Sequence, residues 1–253
     1  LGIQREVIRA LVLRETRTRF GANQLGYLWA LIEPCLWVAT FYALYALAAR
    51  SAPSGMHIAG FIVTGLVPYE MFKAVTTRCG DAIKANRALL YYPQVRPVDL
   101  ILARGALEVA TLGAVFLLLM TGAAMLGNQA LPAQPLQVLL GLALAAGLGL
   151  GLGLLLNSAA LFSNQVERIR GPMLRPLFWL SGVFYTAGSL PERAREALLF
   201  NPVLHAVELV RGGWFASYEA NHASVEYPLS WVMALAFLGL SFERAARRRI
   251  EVT

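Results

Sequence analysis

Trp29, Glu33, Trp37, Phe41 and Tyr45 recur at intervals of four, with Tyr42 beside them. A helix through this segment gathers aromatic rings and one carboxylate on a single face. Two chemistries are open to such a face. Acid–base work would need a second polar group at the same depth, but Glu70 and Glu108, the other acidic candidates in apolar runs, fall on different helices and at different depths. Stacking is the other. Sugar rings present C–H faces that pack on aromatic faces, so a row of rings suits a sliding polysaccharide whose units are each held weakly. Phe178, Trp179, Phe184 and Tyr185 form a second aromatic set. The same rings would equally serve helix-to-helix packing, and Trp29, near the end of its run, fits a membrane-interface anchor.

Other chemistry finds little support. His57, His205 and His222 share no ligand-like spacing, and Cys35 and Cys79 show neither a CxxC nor metal-like spacing, so both cysteines read as packing residues. No GxxxxGK[ST] occurs, which argues against P-loop binding of ATP in this chain. Gly141, Gly147, Gly149, Gly151 and Gly153 lie in an uncharged run where close helix contact explains them better than a phosphate.

The elements that must position these residues are membrane spans. The chain of 253 residues is 57% hydrophobic and only 15% charged, and Val109 to Val166 contains no Asp, Glu, Lys or Arg. A span needs about 20 apolar residues, so that stretch reads as a hairpin broken at Gly127-Asn128-Gln129 with Pro132 and Pro135. Apolar runs predict six spans in an all-α polytopic protein: Leu28–Ala49, Ile58–Arg78, Leu100–Leu126, Leu136–Phe162, Met173–Ala187 and Leu229–Phe242. Glu70 with Lys73, and Arg104 with Glu108, are spaced to neutralise one another on a helix face. The chain starts at Leu1 without a recognisable signal peptide, and the first span itself can target the membrane. The net charge of +7 is not spread as in a nucleic-acid-binding domain. It collects at Arg5, Arg9, Arg14, Arg17 and Arg19, at Lys84, Arg87 and Arg96, at Arg168 and Arg170, and at Arg244, Arg247, Arg248 and Arg249. By the positive-inside rule both termini are cytoplasmic.

Three segments of this single domain, 1–253, do not span. Residues 1–20 place Ile3, Val7, Ala10, Leu11 and Arg14 on one stripe, which predicts a basic amphipathic helix at the interface, with a solvated flank as the alternative. Residues 80–99 hold a short helix from Asp81 that would put Ile83, Arg87 and Leu90 on one side and stop before Pro93, making either a cytoplasmic docking knob or a plain connector. Residues 188–228 are expected to form an external re-entrant pair, 191–200 and 203–211, broken at Asn201-Pro202.

The order of parts resembles the permeases of type 2 ABC exporters, and within them the capsular polysaccharide branch. The resemblance covers nearly the whole chain. It is carried by Arg17-Thr18-Arg19-Phe20, by Leu25 to Pro34, by Leu90-Tyr91-Tyr92-Pro93, by Ser181-Gly182-Val183-Phe184-Tyr185, and by Leu190-Pro191 and Asn201-Pro202. It implies a transport subunit of the bacterial inner membrane, not an enzyme, working as two copies with two separate cytoplasmic ATPases that bind ATP and magnesium, so that this chain itself needs no cofactor. Partners beyond the ATPase would be periplasmic or outer-membrane export proteins, with no nucleic acid. The cargo implied is a lipid-linked, often acidic, capsular polysaccharide; O-antigen or teichoic acid export, or small-molecule efflux by the same fold, are the alternatives. In this picture Trp37, Phe41, Tyr42, Tyr45, Lys73, Phe178, Phe184 and Tyr185 are channel candidates, with Lys73, Arg78 and Arg104 able to admit an anionic chain. Arg14, Arg17, Asp81, Lys84, Arg87, Leu90 and Tyr91 fall where the family meets its ATPase.

Overall fold

The computed structural model describes residues 2–20, 25–48, 51–92, 94–127, 129–163 and 165–250. The side chains of Arg5, Arg19 and Trp29, and of the basic cluster Arg247, Arg248 and Arg249, lie outside the described residues. In chain order the helices are α1 (Gly2–Phe20), α2 (Leu25–Leu47), α3 (Ile58–Gly80), α4 (Ala82–Ala85), α5 (Pro97–Met125), α6 (Pro135–Ala160), α7 (Gln165–Leu180), α8 (Glu192–Leu198), α9 (Pro202–Trp214) and α10 (Glu226–Ile250). No strand occurs among the described residues.

Local chemistry sets the boundaries. Pro97, Pro135 and Pro202 each occupy the first turn of a helix, where the missing N–H costs nothing. Asn201 caps α9, its side-chain oxygen accepting from the Val203 amide at 3.0 Å. The fifth apolar run ends earlier than its hydropathy predicts, because α7 stops at Leu180 and Gly182 adopts a left-handed φ of 74°. At the last run the difference is reversed: α10 carries on past the apolar stretch to Ile250. The helix expected from Asp81 is also split. Asn86 turns the backbone (φ −126°, ψ 24°) while its amide donates to the Ala82 carbonyl at 3.1 Å, and residues 87–91 continue as a 3-10 turn. Ile83 is therefore buried, Leu90 half-buried and Arg87 exposed, so the single predicted stripe does not form.

Helix α6 is the hub, packing on α3, α9 and α10. Its small residues allow this: a Cβ on Gly149 would stand 2.7 Å from the Phe72 carbonyl of α3, and one on Gly151 would stand 2.8 Å from Leu235 of α10. The stripe of α1 meets protein: Leu11 is buried in one cluster with Met71 and Leu100, and Val7 packs against that cluster. By length and composition α3, α5 and α6 are long and apolar enough to cross a membrane, and α2 has a shorter apolar stretch, Ile32–Leu47, among the described residues. Helix α7, which carries Glu167, Arg168, Arg170 and Arg175, buries only Leu174.

Candidate functional site: an aromatic wall and an ionic foot

The two aromatic sets predicted from spacing meet. Helix α2 supplies Trp37 and Phe41, which stack at 5.7 Å, and the turn after α7 brings Phe184 to 4.4 Å from Phe41. Phe178 lies edge-on to Phe184 at 5.4 Å and to Tyr69 of α3 at 5.2 Å, and Trp179 closes the group at 5.4 Å from Phe184. Offset and edge-on rings at these distances attract beyond their simple burial. Two hydroxyls pin the cluster to backbone: Tyr45 donates to the Phe184 carbonyl at 2.8 Å, and Tyr69 to the Leu174 carbonyl at 2.5 Å. The outermost rings are open, Trp37 47% and Trp179 62% exposed, while Phe41 behind them is buried. The result is a surface of indoles backed by phenyl rings.

Other channel candidates sit around this wall. Tyr42 is half-buried and packs against the same core as Phe41. Lys73, one turn along α3 from Tyr69, is bound by Glu70 at 2.9 Å. Tyr185 is half-buried and joins the fold through its carbonyl, which accepts from Arg211 at 3.0 Å. Glu33 is exposed on the protomer surface.

A second arrangement, which spacing did not single out, lies behind one end of the wall. Arg211 and Glu208 of α9 are 0% and 1% exposed and pair at 3.1 Å. Arg211 also donates to the Gly182 carbonyl at 2.9 Å, and its guanidinium lies 4.3 Å over the Phe61 ring. Tyr218 donates to the other Glu208 oxygen. Gly65 makes the room, since a Cβ there would fall 2.7 Å from Arg211 Nη2. The i,i+3 spacing of Glu208, inside the mostly apolar run from Val203 to Val210, and Arg211, directly after it, was the available sign. Nearby, His205 sits between the Leu199 carbonyl (2.8 Å) and the Ser224 amide (2.9 Å), an arrangement served by a neutral ring that donates through Nε2 and accepts through Nδ1. Burial holds its pKa below the ordinary histidine range.

At the opposite end of the bundle, the segment from Asp81 to Asn86 is bound by four helices. Arg170 of α7 holds the Asp81 carboxylate through both guanidinium nitrogens, at 2.9 and 2.8 Å. Lys84 reaches Glu167 at 2.7 Å, Arg14 of α1 donates to Asn86 at 2.8 Å, and the Asn157 oxygen of α6 accepts from the Ile83 amide at 3.2 Å. Arg104 of α5 lies 3.4 Å from the Asp81 carbonyl and pairs with Glu15 of α1 at 3.0 Å. Glu108, spaced to meet Arg104, is 3.3 Å from Arg78, so both acids draw on partners from other helices. These four side chains, with Thr18 and Leu107, border a cavity of about 230 Å³. Of the remaining coupling candidates, Arg17, Arg87 and Tyr91 are exposed, and Leu90 packs against the cluster that includes Leu11.

The family model described as ABC-2 type transporter matches residues 6–215. The chain is 31% identical to the polysialic acid transport protein KpsM of Escherichia coli over 242 residues, 96% of this chain and 94% of the relative. It is 31% identical to the capsule polysaccharide export inner-membrane protein CtrC of Neisseria meningitidis serogroup B over 251 residues, 99% of this chain and 95% of the relative. The O-antigen export system permease protein RfbA of Klebsiella pneumoniae stands further away, at 21% over 207 residues, 80% of this chain and 78% of the relative. The chain belongs to the ABC-2 type transporter family.

Proposed function

We propose that this chain is the membrane subunit of an ATP-driven exporter that moves lipid-linked capsular polysaccharide across the bacterial inner membrane. The observation that carries this reading is its nearly end-to-end similarity, at 31% identity, to the polysialic acid transport protein KpsM and the capsule polysaccharide export inner-membrane protein CtrC. The exposed indoles of Trp37 and Trp179 fit the cargo, because flat apolar faces grip sugar rings without fixing any one unit. Two copies, each with an ATPase subunit, complete the machine; hydrolysis of ATP takes place on those partners.

Six spans cross the membrane: α2, α3, α5, α6, α7 with the turn that follows it to Ala187, and α10. Both termini are cytoplasmic. Helix α1 and residues 81–92 face the ATPase, using Arg14, Arg17, Asp81, Lys84, Arg87, Leu90 and Tyr91. The polymer passes along α2, α3 and α7 past Trp37, Phe41, Tyr42, Tyr45, Lys73, Phe178, Phe184 and Tyr185, and α8 and α9 border the outer mouth. Lys73, Arg78 and Arg104 each face a carboxylate of this chain, which leaves the aromatic rings, more than basic charge, to receive the cargo.

The test is replacement of both exposed indoles, Trp37→Ala with Trp179→Ala, in cells lacking the native gene. Surface polymer is expected to fall roughly tenfold, the loss of about 1.4 kcal/mol of stacking, while the variant still accumulates in the membrane with its ATPase. Unchanged surface polymer would remove the aromatic wall from the translocation path.

A further inference from the structure

We infer that Arg170 is the positioning residue that carries motion of the cytoplasmic segment 81–86 into α7, and through α7 into the aromatic wall. This inference rests on the export reading above. Of the helices that hold segment 81–86, α7 is shallowly embedded: Leu174 is its one buried residue, as Leu11 is on α1 among the described side chains, whereas α5 and α6 each bury twelve. Helix α7 thus has two attachments of different character. Its outer end is held by Phe178 and Trp179 in the ring cluster and by Tyr69 on the Leu174 carbonyl. Its cytoplasmic end is held by ions, Arg170 on Asp81 and Glu167 on Lys84.

Pro172 lies between the ionic foot and the anchored Leu174 carbonyl, and Pro176 between that carbonyl and the rings of Phe178 and Trp179. Each removes one backbone hydrogen bond and crowds the carbonyl four residues earlier, which makes a bend there inexpensive. A displaced Asp81 therefore draws the foot of α7 with it, and the proline-weakened stretch turns that pull into a change of angle at Phe178 and Trp179. The pair is suited to transmission in a way a lysine would not be: the fork holds both carboxylate oxygens, fixing orientation as well as distance. Gly80, the last residue of α3, leaves the space for it, since a Cβ at that position would stand 2.6 Å from Arg170 Nη1. Arg14, Asn157 and Arg104 also bind the segment, but they tie it to α1, α6 and α5, none of which contributes a ring to the wall.

The experiment uses the full permease with its ATPase subunit, expressed in cells lacking the native gene, and compares Arg170→Ala, Arg170→Lys and Gly80→Ala. Surface polymer reports export; ATP hydrolysis and co-purification of the ATPase report docking. Arg170→Ala is expected to lower surface polymer about tenfold, within the range of coupling through one contact, with the ATPase still bound and still hydrolysing ATP. Arg170→Lys, which keeps one charged bond, recovers export to within about threefold of the parent, the order expected when a bidentate contact becomes single. Gly80→Ala, which keeps every charge and displaces only the fork, falls between them, and it carries the same expectations should Arg170→Ala fail to accumulate. Parent-level export in Arg170→Ala or Gly80→Ala overturns the inference, and so does loss of the ATPase, which would make the pair a mere support of the docking surface. A parent chain that restores no surface polymer fails the export reading itself, whatever Arg170 does.

Discussion

Two arginine–carboxylate pairs sit at opposite ends of this bundle, one a two-bond fork and the other a single bond, and their surroundings are very different. Arg211–Glu208 is fully enclosed; the Gly182 and Tyr185 carbonyls, the Phe61 face and the Tyr218 hydroxyl also meet the pair, while Arg211 Nε is buried without a hydrogen-bond partner. Arg170–Asp81 has side chains 15% and 35% exposed and opens toward water. Desolvation makes the first pair costly to separate, because either partner alone would be a buried charge. Partial hydration lets the second part and re-form. The enclosed pair thus fixes architecture, and partial hydration leaves the Arg170–Asp81 pair free to separate.

The sharpest way to break this contrast is to remove one partner at each end. Glu208→Ala should destabilise the chain by about 3–5 kcal/mol, enough to deplete it from the membrane. Glu208→Ala combined with Arg211→Met should recover part of that loss, since no lone charge is then left inside. The matching change at the other end, Asp81→Ala, should leave membrane abundance nearly intact, because water can reach the freed guanidinium. Detergent-extracted protein followed by fluorescence-detected gel filtration measures all three. Equal depletion by Glu208→Ala and Asp81→Ala would erase the distinction.

A smaller effect is expected at Gly182, whose carbonyl receives Arg211. Its φ of 74° is costly for a side-chain-bearing residue, and a Cβ would come within 2.5 Å of Leu204 Cδ1. Gly182→Ala should therefore cost roughly 1–3 kcal/mol, read as a lower unfolding temperature in the same detergent, and should loosen the outer end while leaving Arg170–Asp81 unaffected. An unchanged unfolding temperature would mean that this turn does not hold the buried arginine.

The two ends also differ in how far the sequence disclosed them. The aromatic sets were legible because a four-residue period on α2 states directly which side chains share a face, and because Phe178 and Phe184 lie in a second apolar run. The tight contacts of α6 were legible from its glycines. The contact of Trp37 and Phe41 with the rings of α7 was not, since periodicity places residues on a face without naming the face opposite. Charge pairs were read only within a helix: Glu70–Lys73 forms as spaced, whereas Arg104 and Glu108 find Glu15 and Arg78, partners fixed by packing between helices. Arg211 escaped notice for a related reason. In a segment expected to be external and re-entrant, a charged residue reads as a solvated one, and only the packing of α9 against α3 and α6 encloses it. The single cytoplasmic helix from Asp81 failed because Asn86 satisfies a backbone carbonyl with its own amide, a local competition that apolar spacing does not register.

The smallest effect is expected from the most exposed pair, and it sharpens the comparison by setting its lower bound. Lys84 and Glu167 approach to 2.7 Å, closer than either arginine pair, yet their side chains are 72% and 30% exposed. Distance alone would rank this bond first; hydration ranks it last, because an exposed pair gains little over its solvated partners and orders two long side chains to do so. Lys84→Ala should change stability by about 0–1 kcal/mol, and raising ionic strength should erase what difference remains. Its effect on export should be correspondingly slight while Arg170 still holds Asp81. A loss of export from Lys84→Ala as large as that from Arg170→Ala would move the cytoplasmic connection one turn along the chain, from the fork on Asp81 to the exposed ammonium.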